Sequence, residues 1–283
     1  MFKLAGFIIL IASILGGFVL AHGKLISLWQ PYEILIIAGG AFGAFCLAHP
    51  WKVVAASGRH ICFTLTGTGY NQKYYEALLQ LLNQLFEVSR KQGGRKALEE
   101  HIENVGSSDI FKSYPRITKT PQTMLFITDN IRLSLVDNLD THNFEALMEH
   151  EIETYESELS RPGMALQEIA DALPGFGIMA AVLGIVITMQ SLDGPPDQLG
   201  LHIAAALVGT FMGVFLGYGV VGPIASSITH SIHYEIKALE CIKAALVSNR
   251  HGTPPAMAVE AGRKVLCTES RPSFEEMEKI LEG

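Results

Sequence analysis

The sequence predicts an all-α fold: an integral membrane protein with four transmembrane helices and a helical cytoplasmic domain. Three observations lead there. The 283 residues are only 17% charged, with a net charge of −7, and the mean hydropathy is +0.29. That is too apolar for an ordinary soluble domain, yet long polar stretches remain. A hydrocarbon core of about 30 Å takes roughly 20 helical residues to cross, and four windows free of Asp, Glu, Lys and Arg approach or exceed that length. Lys and Arg, finally, are spread unevenly over the segments between those windows, and positive residues are retained on the cytoplasmic side.

Taken in order, the first span is expected at residues 1–21, where Lys3 precedes an uncharged run from Leu4 to Ala21. It reads as a retained helix rather than an export signal, because a second apolar run follows so closely. A short periplasmic loop at 22–32 carries only Lys24. The second span is expected at 33–50, with its apolar part from Ile34 to Ala48, which is short for a full crossing. A cytoplasmic helical domain fills 51–170. The third span is expected at 171–191, a second periplasmic loop without Lys or Arg at 192–200, and the fourth span at 201–223. A cytoplasmic helical tail, 224–283, closes the chain. Both termini are thereby expected in the cytoplasm, with the chain threaded several times through a membrane and in contact with lipid.

Within the polar middle, apolar residues recur at three and four, the spacing of amphipathic helices. Tyr75, Leu78, Leu79, Leu82, Leu85 and Phe86 form one stripe, ended by Gly93 and Gly94; Met124, Ile127, Ile131 and Leu135 form another. Phe144, Leu147, Met148, Tyr155 and Leu159 form a third, with Glu145, Glu149, Glu151, Glu153, Glu156 and Glu158 on its other face. Such an acidic run is ordinarily a solvated surface. Asn104 to Gln122 is rich in Ser, Gly, Pro and Thr and reads as a loop. Ile232, Ile236, Leu239 and Ile242 keep helical spacing past the fourth span, and Ser273 with Glu276 forms a capping box ahead of a short helix from Phe274 to Leu281.

Composition also excludes function classes. No basic face dominates, so no nucleic-acid partner is expected. Cys46, Cys62, Cys241 and Cys267 lie far apart and read as reduced thiols. No cofactor, metal or catalytic motif stands out, and the chain does not read as an enzyme; His230, His233 and Glu235 are spaced poorly for a shared metal.

A helix bundle that moves ions usually holds an ionisable side chain inside the membrane. Here Asp171, Asp193, Glu33 and Asp197 all fall near span ends, and His202 begins the fourth span. Either the chain conducts nothing, or a partner helix supplies the carboxylate. Gly209, Gly213 and Gly217, four apart on the fourth span, suit close helix packing, either within the chain or against a foreign helix. Thr188 and Thr210 offer hydroxyls to ions or water, or to their own backbone four residues earlier. Pro174 and Pro223 remove backbone donors near the cytoplasmic boundary, as static kinks or as a coupling point.

ALVGTFMGVFLGYGVVGP, from Ala206 to Pro223, resembles the fourth-helix signature of the MotA family of flagellar-motor stator subunits, within the MotA/TolQ/ExbB proton channels. LPGFGIMAAVLG from Leu173 and QPYEILIIAGGAFGAF from Gln30 are similar to the family's third and second helices. IENVGSSDIFKSYPRI, FEALMEHEIETYESE and AVEAGRKVL resemble its cytoplasmic segments, so the likeness covers nearly the whole chain.

The resemblance implies a homo-oligomer, a pentamer around a MotB dimer whose transmembrane helices bring the ion-binding Asp. It implies protons rather than sodium as the transported ion, with Thr210 and Thr188 lining the pathway. Pro174 and Pro223 would couple ion flow to movement. Arg90 and Glu99, or Glu100 in place of Glu99, would engage the rotor protein FliG. Gly175 stands where the family often has alanine, and Thr188 occupies a variable position. The runner-up is an ExbB/TolQ-type energiser of outer-membrane processes, which ordinarily has fewer spans.

Overall fold

Long apolar runs become long helices. The computed structural model describes residues 2–64, 69–91, 93–136, 139–190 and 195–282, and among them no strand occurs. Helix α1 spans Phe2–Leu20; a 3₁₀ turn at Leu25–Leu28 leads into α2, Pro31–Ala48, and α3 spans Trp51–Thr64. Helices α4 (Gln72–Arg90), α5 (Gly94–Glu103), α6 (Asp109–Lys112), α7 (Pro115–Thr118) and α8 (Pro121–Ser134) follow. Then come α9 (Thr141–Gln190) and α10 (Pro196–Val214), a π-helical segment Phe215–Val221, α11 (Gly222–Arg250), α12 (Pro255–Val265) and α13 (Phe274–Glu282). Proline opens α2, α7, α8 and α12, where its missing N–H and fixed φ cost nothing.

Four of these helical runs are long and apolar enough to cross a membrane, within Lys3–Leu20, Leu25–Ala48, Thr141–Gln190 and Leu199–Arg250. Helix α9 has 50 residues, far more than the roughly 20 that one hydrocarbon core takes up. Asp193 lies outside the described residues, as do the side chains of Asp197 and Cys62. Cys46, Cys241 and Cys267 are free thiols.

The chain divides into two compact units. The first comprises Met1–Gly67 and Leu159–His230, and its centre is a small cluster in which Ile37 and Ala41 of α2 meet Leu173 and Ala180 of α9. Much of its apolar surface faces outward: Ile178, Met179, Val182, Leu183, Ile185, Val186 and Ile187 of α9 are all exposed. Helix α1 is the least covered, and an apolar groove of about 310 Å³ opens between Ile14, Leu15 and Phe18 of α1 and Leu207, Val208 and Phe211 of α10.

The second unit comprises Thr68–Glu158 and Ser231–Gly283 and packs in the opposite sense. Tyr75, Leu78, Leu79, Leu82 and Leu85 of α4 are fully buried, with α5, α7, α12 and α13 packed on that helix. Asn71 caps α4 by accepting from the Tyr74 N–H at 3.0 Å. Gly93, at φ 77°, makes the left-handed turn into α5, and a side chain on Gly94 would strike the Val88 carbonyl. The Tyr75 hydroxyl donates to the Tyr234 carbonyl at 2.8 Å and that of Tyr155 to Glu235 at 2.7 Å.

Three sequence expectations change here. The stretch expected as a loop holds two helical turns, α6 and α7, the first capped by Ser108 and the second opened by Pro115. On α9 Leu147 is exposed, and Ile152 joins Phe144 and Met148 in the core, because the buried stripe runs strictly at every fourth residue. Glu149, expected on a solvated acidic face, accepts an ion pair from Lys243. The capping box forms as read: Ser273 N–H donates to Glu276 at 2.7 Å and Glu276 N–H to the Ser273 hydroxyl at 3.2 Å.

Candidate ion-pathway site

The third and fourth spans, the later part of α9 and the helical run from α10 into α11, cross on glycine. A side chain added at Gly177 would meet the Gly209 carbonyl at 2.9 Å and the Gly213 Cα at 3.0 Å; one at Gly213 would meet the Gly177 Cα and the Leu173 carbonyl, both at 2.7 Å. One at Gly209 would lie 3.4 Å from Ala180. The glycine face that the sequence leaves open to a foreign helix is therefore filled by the chain's own third span. Backbone stands against backbone, which only residues without a Cβ allow.

The prolines enter the same geometry. Pro174, half-buried, has no N–H, so the Ala170 carbonyl one turn earlier loses its usual i+4 donor. That carbonyl faces Gly217, where an added Cβ would come within 2.5 Å of it and 3.0 Å of the Pro174 ring. Gly217 lies in the π-helical segment Phe215–Val221, whose end is marked by the Gly222 N–H donating to the Gly217 carbonyl. Pro223, exposed, follows immediately. Wide helical turns of this kind are rare and concentrate at functional sites, and here a wide turn, one proline's freed carbonyl and a second proline coincide. The sequence showed the prolines and the glycines; the π segment it did not, because i+5 bonding has no residue signature.

Of the two threonines, Thr188 is buried and its hydroxyl donates to the Gly184 carbonyl at 2.8 Å, leaving its lone pairs to accept. Thr210 is half-buried, next to the glycine that faces the third span. A carboxyl group that the sequence placed at a span end is also present: Glu33, in the first turn of α2, is buried, with its side chain against Gly184 and Gly209. Its signal was an acidic residue just inside a proline-initiated apolar run, which reads equally well as a helix-dipole partner.

In the second unit, Arg90 ends α4 and donates to the Thr253 carbonyl while remaining exposed. Glu99 and Glu100 are both exposed on α5. The His230, His233 and Glu235 trio does not gather: Glu235 is bonded by Tyr155 and His233 stands 3.6 Å from the Cys267 sulfur. Among the described residues no group of three His, Cys, Asp or Glu side chains is placed to hold a metal ion.

Comparison with known proteins bears on this arrangement. Residues 4–93 match the family model described as motility protein A N-terminal, and residues 118–241 that of the MotA/TolQ/ExbB proton channel family. Motility protein A of Salmonella typhimurium is 41% identical over 279 residues, 99% of this chain and 94% of that one. Chemotaxis protein LafT of Vibrio parahaemolyticus is 40% identical, over 99% of this chain and 98% of its own. The same fold occurs in the MotAB structure from C. jejuni, at a TM-score of 0.77 and 20% identity, covering 96% of this chain and 98% of that one. It occurs again in the flagellar MotAB stator complex from Bacillus subtilis, at 0.72 and 24%, covering 91% and 92%.

Proposed function

The chain belongs to the MotA/TolQ/ExbB proton channel family, in its motility protein A branch, and we propose that it serves as the ring-forming, torque-delivering subunit of a proton-driven flagellar stator. Its four apolar helices and its family make it a multi-pass protein of the inner membrane. The observation that carries the reading is the third span: an unbroken helix exposing a broad apolar face from Ile178 to Met189, more than an isolated chain leaves uncovered. Lipid, further copies of the chain and a partner helix are its natural occupants.

In this reading five copies surround two MotB transmembrane helices, which bring the aspartate that takes the ion at mid-membrane. Both termini and the second unit lie in the cytoplasm, as the distribution of Lys and Arg supports. A charge at mid-membrane costs about 2.5–3.5 kcal/mol or more, so protonation changes how the partner helix fits the ring. Each elementary charge crossing 100 mV supplies about 2.3 kcal/mol, a few RT per step. Thr210 and Thr188 offer oxygens along the pathway. Pro174 against Gly217 of the π segment, with Pro223 two residues past that segment's end, forms the place where a change in helix fit alters the backbone. Arg90 and Glu99 pass the movement to charges on FliG; exposed pairs are worth about 0–1 kcal/mol each, which suits repeated engagement and release.

Co-expression with a MotB-type partner in a motility-deficient host, with the proton and sodium gradients collapsed separately, tests the reading. Swimming is expected to be restored and to stop when the proton gradient is lost. Swimming that survives that loss overturns the choice of ion, and no swimming with any partner overturns the assignment. An energiser of outer-membrane work has less support, since the relatives over the full length are motility and chemotaxis proteins.

A further inference from the structure

Where the third and fourth spans cross, the chain buries a carboxyl group of its own. Glu33 is 8% exposed, and its Oε2 is buried without a hydrogen-bond partner among the described residues. Oε2 lies 3.4 Å from the position a Cβ on Gly209 would take, and Oε1 lies 3.6 Å from that of Gly184. The small residues of both spans thus leave a slot between them, and the carboxyl is aimed into it. An ionised carboxylate held there unpaired is far costlier than one in water; the slot is stable when the group binds a proton or a cation.

Among the described residues the surroundings offer no resident cation. Within α2 the flanking residues are Pro31, Tyr32, Ile34 and Leu35, the third span has no charged residue from Leu173 to Gln190, and on α10 the titratable groups are Asp197 and His202. Lys24, in the preceding loop, is exposed. Two polar groups lead away from the slot. The Thr188 hydroxyl, bonded to the Gly184 carbonyl, stands one turn farther along α9. His202, whose Nδ1 is buried without a partner among the described residues, precedes Gly209 by seven residues, on the same helix face and about 10 Å farther along.

We propose that Glu33 is an ion-accepting station of the chain itself, near the outer end of the pathway. It takes up the transported proton from the side of Thr188 and His202 and releases it toward the carboxylate at mid-membrane. No bond other than O–H forms or breaks, and no other reactant is consumed. The proposal rests on the conducting role and orientation given above, and it adds a residue to them.

The test uses the full chain with its MotB-type partner, reconstituted in proteoliposomes and compared for proton flux. Glu33→Gln keeps the shape of the side chain but cannot carry a proton, Glu33→Leu removes the polar group, and Glu33→Asp retains a carboxyl. Gln and Leu are expected to accumulate normally while flux falls by roughly a hundredfold, as when a positioned proton-transfer group is lost; Asp recovers part of it. Wild-type flux in Gln and Leu overturns the proposal, leaving Glu33 a packing residue. Should those variants fail to accumulate, the wild-type complex decides through a hydrophobic carbodiimide. Modification mapped to Glu33 that blocks flux supports the station, and modification there that leaves flux intact overturns it. A wild-type complex that conducts nothing overturns the stator reading first, and the station with it.

Discussion

The two units solve the hydrophobic problem in opposite ways. In the second, large apolar side chains point inward: Phe86, Phe111, Phe144 and five leucines of α4 are essentially without exposure. In the first, residues of the same kind point outward, and what is buried at the crossing is mostly glycine and alanine. Side-chain burial therefore holds the second unit together in water, whereas close backbone approach holds the first together where burial from water gives no drive between helices. The same substitution should have different consequences on the two sides of this divide.

The largest effect is expected from emptying the water-facing core. Phe86→Ala should cost about 3–5 kcal/mol and sharply reduce accumulation, while Leu183→Ala, at a position 45% exposed on the third span, should leave thermal stability in detergent unchanged. Comparable losses in both would erase the contrast. Next comes filling the glycine crossing. Gly213→Val drives a side chain into the Leu173 carbonyl and the Gly177 Cα, at a cost of about 1–3 kcal/mol or more, and should abolish motility. Gly175→Ala, whose Cβ meets nothing within 4 Å, should be neutral.

A smaller effect depends on pH. Arg263 donates to both oxygens of Glu260, at 2.6 and 2.7 Å, and holds its carboxyl below the ordinary value of 4.5. That contribution is complete above the unfolded chain's value and is lost as pH falls through the lower folded one. Acid titration of stability should show it, and Glu260→Gln should flatten that part of the curve. The smallest change in stability, within about 0.5 kcal/mol, is expected for charge reversal at the exposed Arg90 and Glu99. Motor speed under load should nevertheless fall at unchanged membrane abundance; normal speed in both variants would remove them from torque transfer.

What the sequence showed follows the same division. Hydropathy and period made the spans and the α4 stripe readable, because each is a local pattern repeated over many residues. Pro174, Pro223 and the glycines could be marked as special without their partners being known, since nothing local tells Gly213 whether it faces Gly177 or another chain. Glu33 reads as a span-end residue for the same reason. Its position in α2 was legible, but its burial depends on Gly184 and Gly209, some 150 residues and more away in the sequence. The π segment and the two helical turns inside the expected loop depend on packing and capping that composition does not encode.

The central claim is that this chain walls a pathway whose mid-membrane carboxylate belongs to another helix, and proton flux into proteoliposomes tests it most directly. The chain alone should be silent at an imposed potential, and adding the partner's transmembrane helix should open flux that disappears when the partner's aspartate is changed to asparagine. Flux from the chain alone, equal to that of the complex, would contradict the account.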